Sequence, residues 1–385
     1  MSFNPRQQPP ILRRRNNHLP NDIVLNIVGK LPVKSVIRFR CICKSWYSFI
    51  TSSYFISTHL NNIINNNHSY LIHMPLKTPN RGVCTFVFES TFDMISEVGI
   101  PFDFACQIVG SCNGLLCLAS TNSDNAVFLW NPSVRKFKVL PDTCLGELGD
   151  DTLLGFAYHS ENNDYKVVRI SFSYSSVSVH EIEVYTLSSD SWRRIGISSK
   201  TDIMFYNNLQ LPTPLVNGAL HWKAIVEKGE GRRRRSEKII MSFDVNRERF
   251  KKVAVPHGSM DANFDQTCLA LFRGKLAFIT FEHSQRRGCY RYSIWVMRKY
   301  GVFESWHKLI VVPFQRIAIC YALTEYGSLL IRCRSNVQGE KQKLKYVLID
   351  AETLHEKDPD IQVHSSVATF MESLVLLDGA NVVSY

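Results

Sequence analysis

The sequence lacks the cysteine spacing that holds zinc: its 11 cysteines include no Cys-x-x-Cys pair. Their number is odd and their scatter suggests no disulfide framework, so in a reducing compartment they act as small hydrophobes. It also lacks a Gly-x-Ser-x-Gly elbow, a P-loop and a Gly-x-Gly-x-x-Gly turn. His180-Glu181 and His355-Glu356 begin like a zinc-protease helix but have no second histidine three residues on. His221, beside Trp222, reads as a satisfied structural histidine on an alternating strand. No catalytic, metal-binding or cofactor-binding residue is therefore assigned. Long apolar runs are missing too. The most apolar window, Leu309 to Leu323, is broken by Pro313, Gln315 and Arg316, whereas a membrane helix needs about 20 apolar residues. No apolar stretch follows a charged start, so no secretory signal is expected. These absences predict a soluble chain of the cytoplasm, the nucleus or both, with no membrane partner.

Of the net charge of +11, residues 1–67 carry +8, from nine Lys/Arg and one Asp. The remainder carries +3, from 36 Lys/Arg against 33 Asp/Glu. Four cations of the remainder form one run, Arg232 to Arg235, flanked by Gly229, Gly231 and Ser236 as in a solvated loop tip. A nucleic-acid footprint would be a basic stripe with stacking aromatics, so nucleic acid is not an expected partner. Arg13–Arg15 sits in a Pro/Asn/Gln-rich tail and resembles a weak nuclear signal.

Residues 1–18 read as a disordered basic tail. Residues 19–60 read as helical, since Ile23, Val24, Ile27, Val28 and Leu31 recur at helical spacing. Leu31-Pro32 breaks the pattern, because proline disfavours helix in the residue before it and can open the next. Val33, Val36 and Ile37 mark a second helix, and Trp46, Phe49 and Ile50 a third. Residues 61–67, with five asparagines, read as a linker.

From residue 68 the period becomes two, as in Glu181-Ile182-Glu183-Val184-Tyr185. Turn clusters punctuate the region, and Asn113-Gly114 between apolar runs signals a hairpin. Aromatics recur seven residues apart: Trp130 with Phe137, Tyr185 with Trp192, Phe243 with Phe250. Trp295 and Trp306 fit with a longer turn. Each unit reads as a hairpin with an aromatic on both strands. Upstream stand Gly114, Gly155, Gly218, Gly274 and Gly327, spaced on average about 53 residues apart, which allows about six units in residues 68–385. Repeated short strands at that period predict a β-propeller. A large β-sandwich is the alternative. The fold class expected is α+β multidomain, with a small three-helix domain followed by an all-β propeller of about six blades.

Leu19 to Ile50 (LPNDIVLNIVGKLPVKSVIRFRCICKSWYSFI) resembles an F-box. VGSCNGLLCL (109–118), LWNPSVRKFKVLP (129–141), LGFAYHSENNDYKVVRI (154–170) and LVNGALHW (215–222) resemble the F-box-associated region of plant F-box proteins, including the S-locus F-box-like and F-box kelch-like groups. The resemblance implies a substrate-recognition subunit of a Skp–cullin–F-box ubiquitin ligase, with the F-box docking a Skp-type adaptor and the propeller binding an unknown target protein. By that resemblance Leu19, Pro20, Ile23, Ile27, Leu31, Pro32 and Val36 are the adaptor-contact residues, and Trp46 packs internally. The alternative is that all of these form ordinary helical core. Lys34, Arg38, Arg40 and Lys44 either steer an acidic adaptor or form a solvated face. Residues 142–151, 198–212, 226–237 and 257–266 are the expected target-reading loops. The competing function is a propeller interaction protein outside any ligase.

Overall fold

Prolines set the frame of the helical unit. Pro20 precedes helix α1 (Asn21–Val28) and Pro32 precedes α2 (Val33–Phe39), both with extended backbone that turns the chain into a first helical turn. Cys43 is likewise extended before α3 (Lys44–Ile50). Helix α4 (Ser53–Asn65) starts where the Phe55 amide donates to Ser52 Oγ, at 3.3 Å. This fourth helix continues through residues that the sequence assigned to the linker. A computed structural model describes residues 20–65, 70–76, 82–102, 105–121, 126–143, 151–173, 176–196, 203–208, 211–229, 235–259, 262–284, 289–314, 318–334, 344–359, 361, 365–375 and 382–384. The 1–18 tail and Leu19 lie outside them.

Six antiparallel sheets follow the helices, each a blade of a propeller. Blade 1 joins Tyr70–Pro75, Val83–Phe88 and Met94–Gly99 to the late strand Ser365–Phe370. Blade 2 holds Cys106–Cys112, Leu115–Ser120, Val127–Asn131 and Lys136–Val139, with Val382–Ser384 added at its edge. Blade 3 holds Asp151–His159, Asp164–Ser173, Ser176–Thr186 and Ser191–Ile195. In blade 4 the first position is split between Ile203–Tyr206 and Leu215–Val216, followed by Ala219–Lys228, Arg235–Asp244 and Arg249–Ala254. Blade 5 is Thr267–Phe272, Lys275–Ser284, Cys289–Met297 and Trp306–Phe314. Blade 6 is Ala318–Leu323, Ser328–Arg334, Leu344–Asp350 and Glu356–Lys357.

The hydrophobic residues divide accordingly. Six clusters each lie between two successive blades, the last between blades 6 and 1. A seventh fills the helical unit. The three inner strands of a blade are thus covered on both faces, which corrects the half-buried strand expected at residues 181–185: Glu183 is fully buried. The glycine repeat also needs one correction. Gly114, Gly218 and Gly274 take φ of 78°, 71° and 70° behind Asn113, Asn217 and Arg273, as two-residue primed hairpins require. Gly155 instead lies inside a strand, where a Cβ would come within 2.7 Å of the Trp222 ring.

The ring closes through the chain's two ends. Six residues of Tyr70–Pro75 pair in register with Ser365–Phe370, from Tyr70 opposite Phe370 to Pro75 opposite Ser365. The chain then leaves the sheet and inserts Leu374, 2% exposed, among Val28, Val33, Val36, Ile50 and Phe55. Deleting residues 365–385 is therefore expected to give insoluble protein or a markedly lower Tm, because an unpaired edge and three opened cores remain. Leu374→Ala alone should cost about 2–5 kcal/mol of stability. Thermal melts of both variants check this, and an unaltered Tm in the truncation would mean that the ring does not need its clasp.

Candidate protein-docking surfaces

The helical unit presents one apolar face that its core does not use. Ile23 and Ile27, four residues apart on α1, are 45% and 49% exposed, and Pro20 and Pro32 are exposed beside them. Leu31 is half-buried and packs on the helical core. Val36 is 0% exposed, which corrects its assignment as a contact residue: it faces inward from α2 onto the cluster containing Leu374. Trp46 packs against that core, 5.7 Å from the Phe39 ring. Of the cations, Lys34, Arg38 and Lys44 are exposed, while Arg40 lies over the Tyr47 ring at 5.2 Å.

Side chains of α4 hold this face in place. His59 Nε2 donates to the Leu31 carbonyl at 2.9 Å, and Asn62 Nδ2 to that of Gly29 at 3.1 Å. Both carbonyls belong to the bend that carries Pro32. Burial lowers the His59 pKa, so the ring is a neutral Nε2–H tautomer at pH 7. On the propeller side, Asn131 Nδ2 donates to the Val375 carbonyl at 2.8 Å and the Ser373 carbonyl at 3.3 Å. Glu372 accepts from the Val33 amide. The face is thus carried on a unit joined to the ring through Glu372 to Val375.

The two faces of the propeller differ. One carries the tight hairpins, such as 113–114, 217–218 and 273–274, together with the attached helical unit. The opposite face carries the connections between successive blades. The expected target-reading segments 142–151, 226–237 and 257–266 fall there, though residues 144–150, 230–234 and 260–261 lie outside the described residues. The fourth segment, 198–212, is corrected at its end. Asn208 and Leu211 are buried, and Asn208 exchanges hydrogen bonds with the Leu269 backbone of blade 5 at 2.6 and 2.8 Å. Thr213 donates through its amide to Val109 O (3.1 Å) of blade 2 and through Oγ1 to Leu154 O (2.7 Å) of blade 3. Leu211 joins the core of blades 5 and 6. This stretch thus bonds to the inner strands of blades 2, 3 and 5 and packs into the core between blades 5 and 6.

Two buried bases with strongly lowered pKa values are structural. His221 is fully buried, with Nδ1 directed at the Pro214 carbonyl (3.3 Å) and Nε2 accepting from Tyr300 Oη (2.8 Å). Burial pushes its pKa down to about 4. Lys223, lowered to about 8 by burial, donates to the Phe264 and Thr267 carbonyls at 2.8 and 2.5 Å and so ties blade 4 to blade 5. Sequence reading missed this lysine. Its position between apolar residues on a strand was the available signal.

Two family models match the chain: the F-box domain over residues 17–58 and the F-box associated beta propeller domain over residues 45–377. The chain is 25% identical to the F-box/kelch-repeat protein At3g23880 of Arabidopsis thaliana, covering 77% of this chain and 80% of that one. It is 28% identical to the F-box protein CPR1 (76% and 73% covered) and 29% identical to the F-box protein At3g07870 (75% and 71%), both of the same plant.

Buried neutral histidines make stability pH-dependent. His221 titrates near 6.5 when unfolded and about 4 when folded, so its contribution is complete above pH 6.5 and disappears as the pH falls towards 4. His59 acts in the same direction. Going from pH 7.5 to 5 should cost about 2 kcal/mol through His221 alone. Urea midpoints at the two pH values test this. The His221→Gln variant should be weaker at pH 7.5 and flatter in its pH dependence; an unchanged slope would remove His221 from the account.

Proposed function

The chain belongs to the F-box proteins with an F-box-associated β-propeller domain, and from that premise we propose that it is the substrate-recognition subunit of a Skp–cullin–F-box ubiquitin ligase. In this reading the F-box docks a Skp-type adaptor and through it a cullin, in the cytoplasm or nucleus, and the propeller holds a target protein. The supporting observation is the apolar face of Pro20, Ile23, Ile27 and Pro32, exposed on a unit whose own core is already filled. Apolar anchors at the centre of a desolvated interface are worth roughly 2 kcal/mol or more each. The chain supplies no bond chemistry itself. It raises the concentration of its target near a conjugating enzyme, a proximity effect.

A second reading has its own support. Leu374 enters the helical core, so the F-box could serve only to cap the ring in an interaction protein working outside a ligase. A cap has no use for exposed Ile23 and Ile27, which favours docking.

Ile23→Ala with Ile27→Ala should lose co-purification with a Skp-type adaptor while keeping the wild-type Tm, since neither side chain is core. Val36→Ala should instead lower the Tm, by about 2 kcal/mol of stability. Full adaptor retention by the isoleucine double variant would rule out this face. In a reconstituted reaction with adaptor, cullin and a partner captured by the propeller, the full chain should promote ubiquitination. The double variant should bind the partner and promote nothing. Equal modification by both proteins would leave the interaction-protein reading in place.

A further inference from the structure

Positive charge in the propeller is concentrated in one blade. Residues 203–256 hold 11 Lys/Arg and five Asp/Glu, a net +6. The rest of residues 68–385 holds 25 against 28, a net −3. The outermost strand of blade 4, Arg249–Ala254, displays Arg249, Lys251 and Lys252 to solvent, and no ion pair joins these three among the described residues. Arg235, also exposed, helps line an open recess of about 450 Å³ at the adjoining hairpin, with Ser236, Lys238 and the ion-paired Lys228 and Glu237.

Cations on an edge strand can simply block aggregation. That use is not general in this ring. The edge of blade 1 exposes Met94 (65%) and Ile95 (39%), and that of blade 5 exposes Leu309 (40%) and Val311 (42%). Blade 4 also stands three blades from blade 1, which holds the clasp, and two from blade 2, whose Val134 packs on the F-box core.

We propose that the rim of blade 4, through Arg249, Lys251 and Lys252, binds an acidic extended segment of the target protein. The edge strand offers one row of main-chain donors and acceptors, which an added strand can pair, and three cations for its carboxylates. A nucleic acid fits less well, because the one aromatic of this strand, Phe250, is turned inward, 4.9 Å from Phe243. The proposal rests on the receptor reading and names the chemistry of what the receptor selects.

The test uses the full chain with its adaptor and a fluorescein-labelled oligoglutamate peptide as probe. The peptide should bind, more weakly as salt is added. Arg249→Glu with Lys251→Glu and Lys252→Glu should reduce affinity by at least about tenfold, and Lys251→Gln with Lys252→Gln by less. All variants should retain the adaptor, so loss of adaptor binding bears on the receptor reading alone. Absence of peptide binding, equal affinity in the triple variant, or tighter binding of a charge-matched DNA duplex at the same salt would each overturn the proposal.

Discussion

The structure depends on one antiparallel pairing between strands almost 300 residues apart in sequence, Tyr70–Pro75 with Ser365–Phe370. The late strand supplies Val367 to the core between blades 6 and 1, and Ala368 and Phe370 to the core between blades 1 and 2. Ser366 Oγ accepts from the Ile108 amide of blade 2, at 3.1 Å. Four residues beyond Phe370, Leu374 completes the F-box core. Residues Ser365 to Val375 therefore serve three cores, and most of the chain must be in place before any of them closes. Loop-closure entropy makes such a contact slow to form and cooperative once formed. The fit is close: a Cβ on Gly114 would lie 2.4 Å from Ser373 Oγ.

The repeat was legible because its cause is local. Trp130 does face Phe137, Tyr185 faces Trp192 and Phe243 faces Phe250, with ring centroids at 5.4 Å and 4.9 Å in the last two pairs. Trp295 and Trp306 break the rule. A register shift after Ile294 puts Lys308 opposite Trp295, with the Lys308 ammonium 4.6 Å from its ring centroid, and frees the Trp306 indole to donate to Ala254 O of blade 4. Trp192 makes the corresponding bond from blade 3 to Pro141 O of blade 2. What the sequence could not reveal is set by distant partners. Val36, which the resemblance assigns to the adaptor contact, is buried in the core that Leu374 joins, and Glu183 has the spacing of a solvent-facing strand residue until Thr143, beyond the last strand of blade 2, bonds to it.

Between the blades, burial and polarity are reconciled by giving three buried lysines an acceptor on the next blade. Lys138 of blade 2 reaches Asp190 of blade 3 at 2.8 Å, Lys166 of blade 3 reaches Glu248 of blade 4 at 2.8 Å, and Lys223 of blade 4 reaches main-chain carbonyls at the entrance to blade 5. Each of these lysines is at most 5% exposed. An unpaired charge there would cost several kcal/mol, so each contact favours one angular relation between neighbouring blades. Apolar cores alone would permit some sliding.

A ring fixed in this way, and tied across blades 2, 3 and 5 by Asn208 and Thr213, offers its rims and faces for recognition. That geometry separates two tasks. The face with tight hairpins is bound to the F-box through Leu374 and Asn131, so the position of the docking helices follows the ring as a body. Substitutions on the far rim and the opposite face should not disturb closure, because the inter-blade cores lie beneath them. In the receptor role proposed above, a stiff connection matters more than affinity alone. A flexible tether would spread a bound target over many orientations, whereas this join would restrict it to few and raise the effective concentration at a conjugating site accordingly.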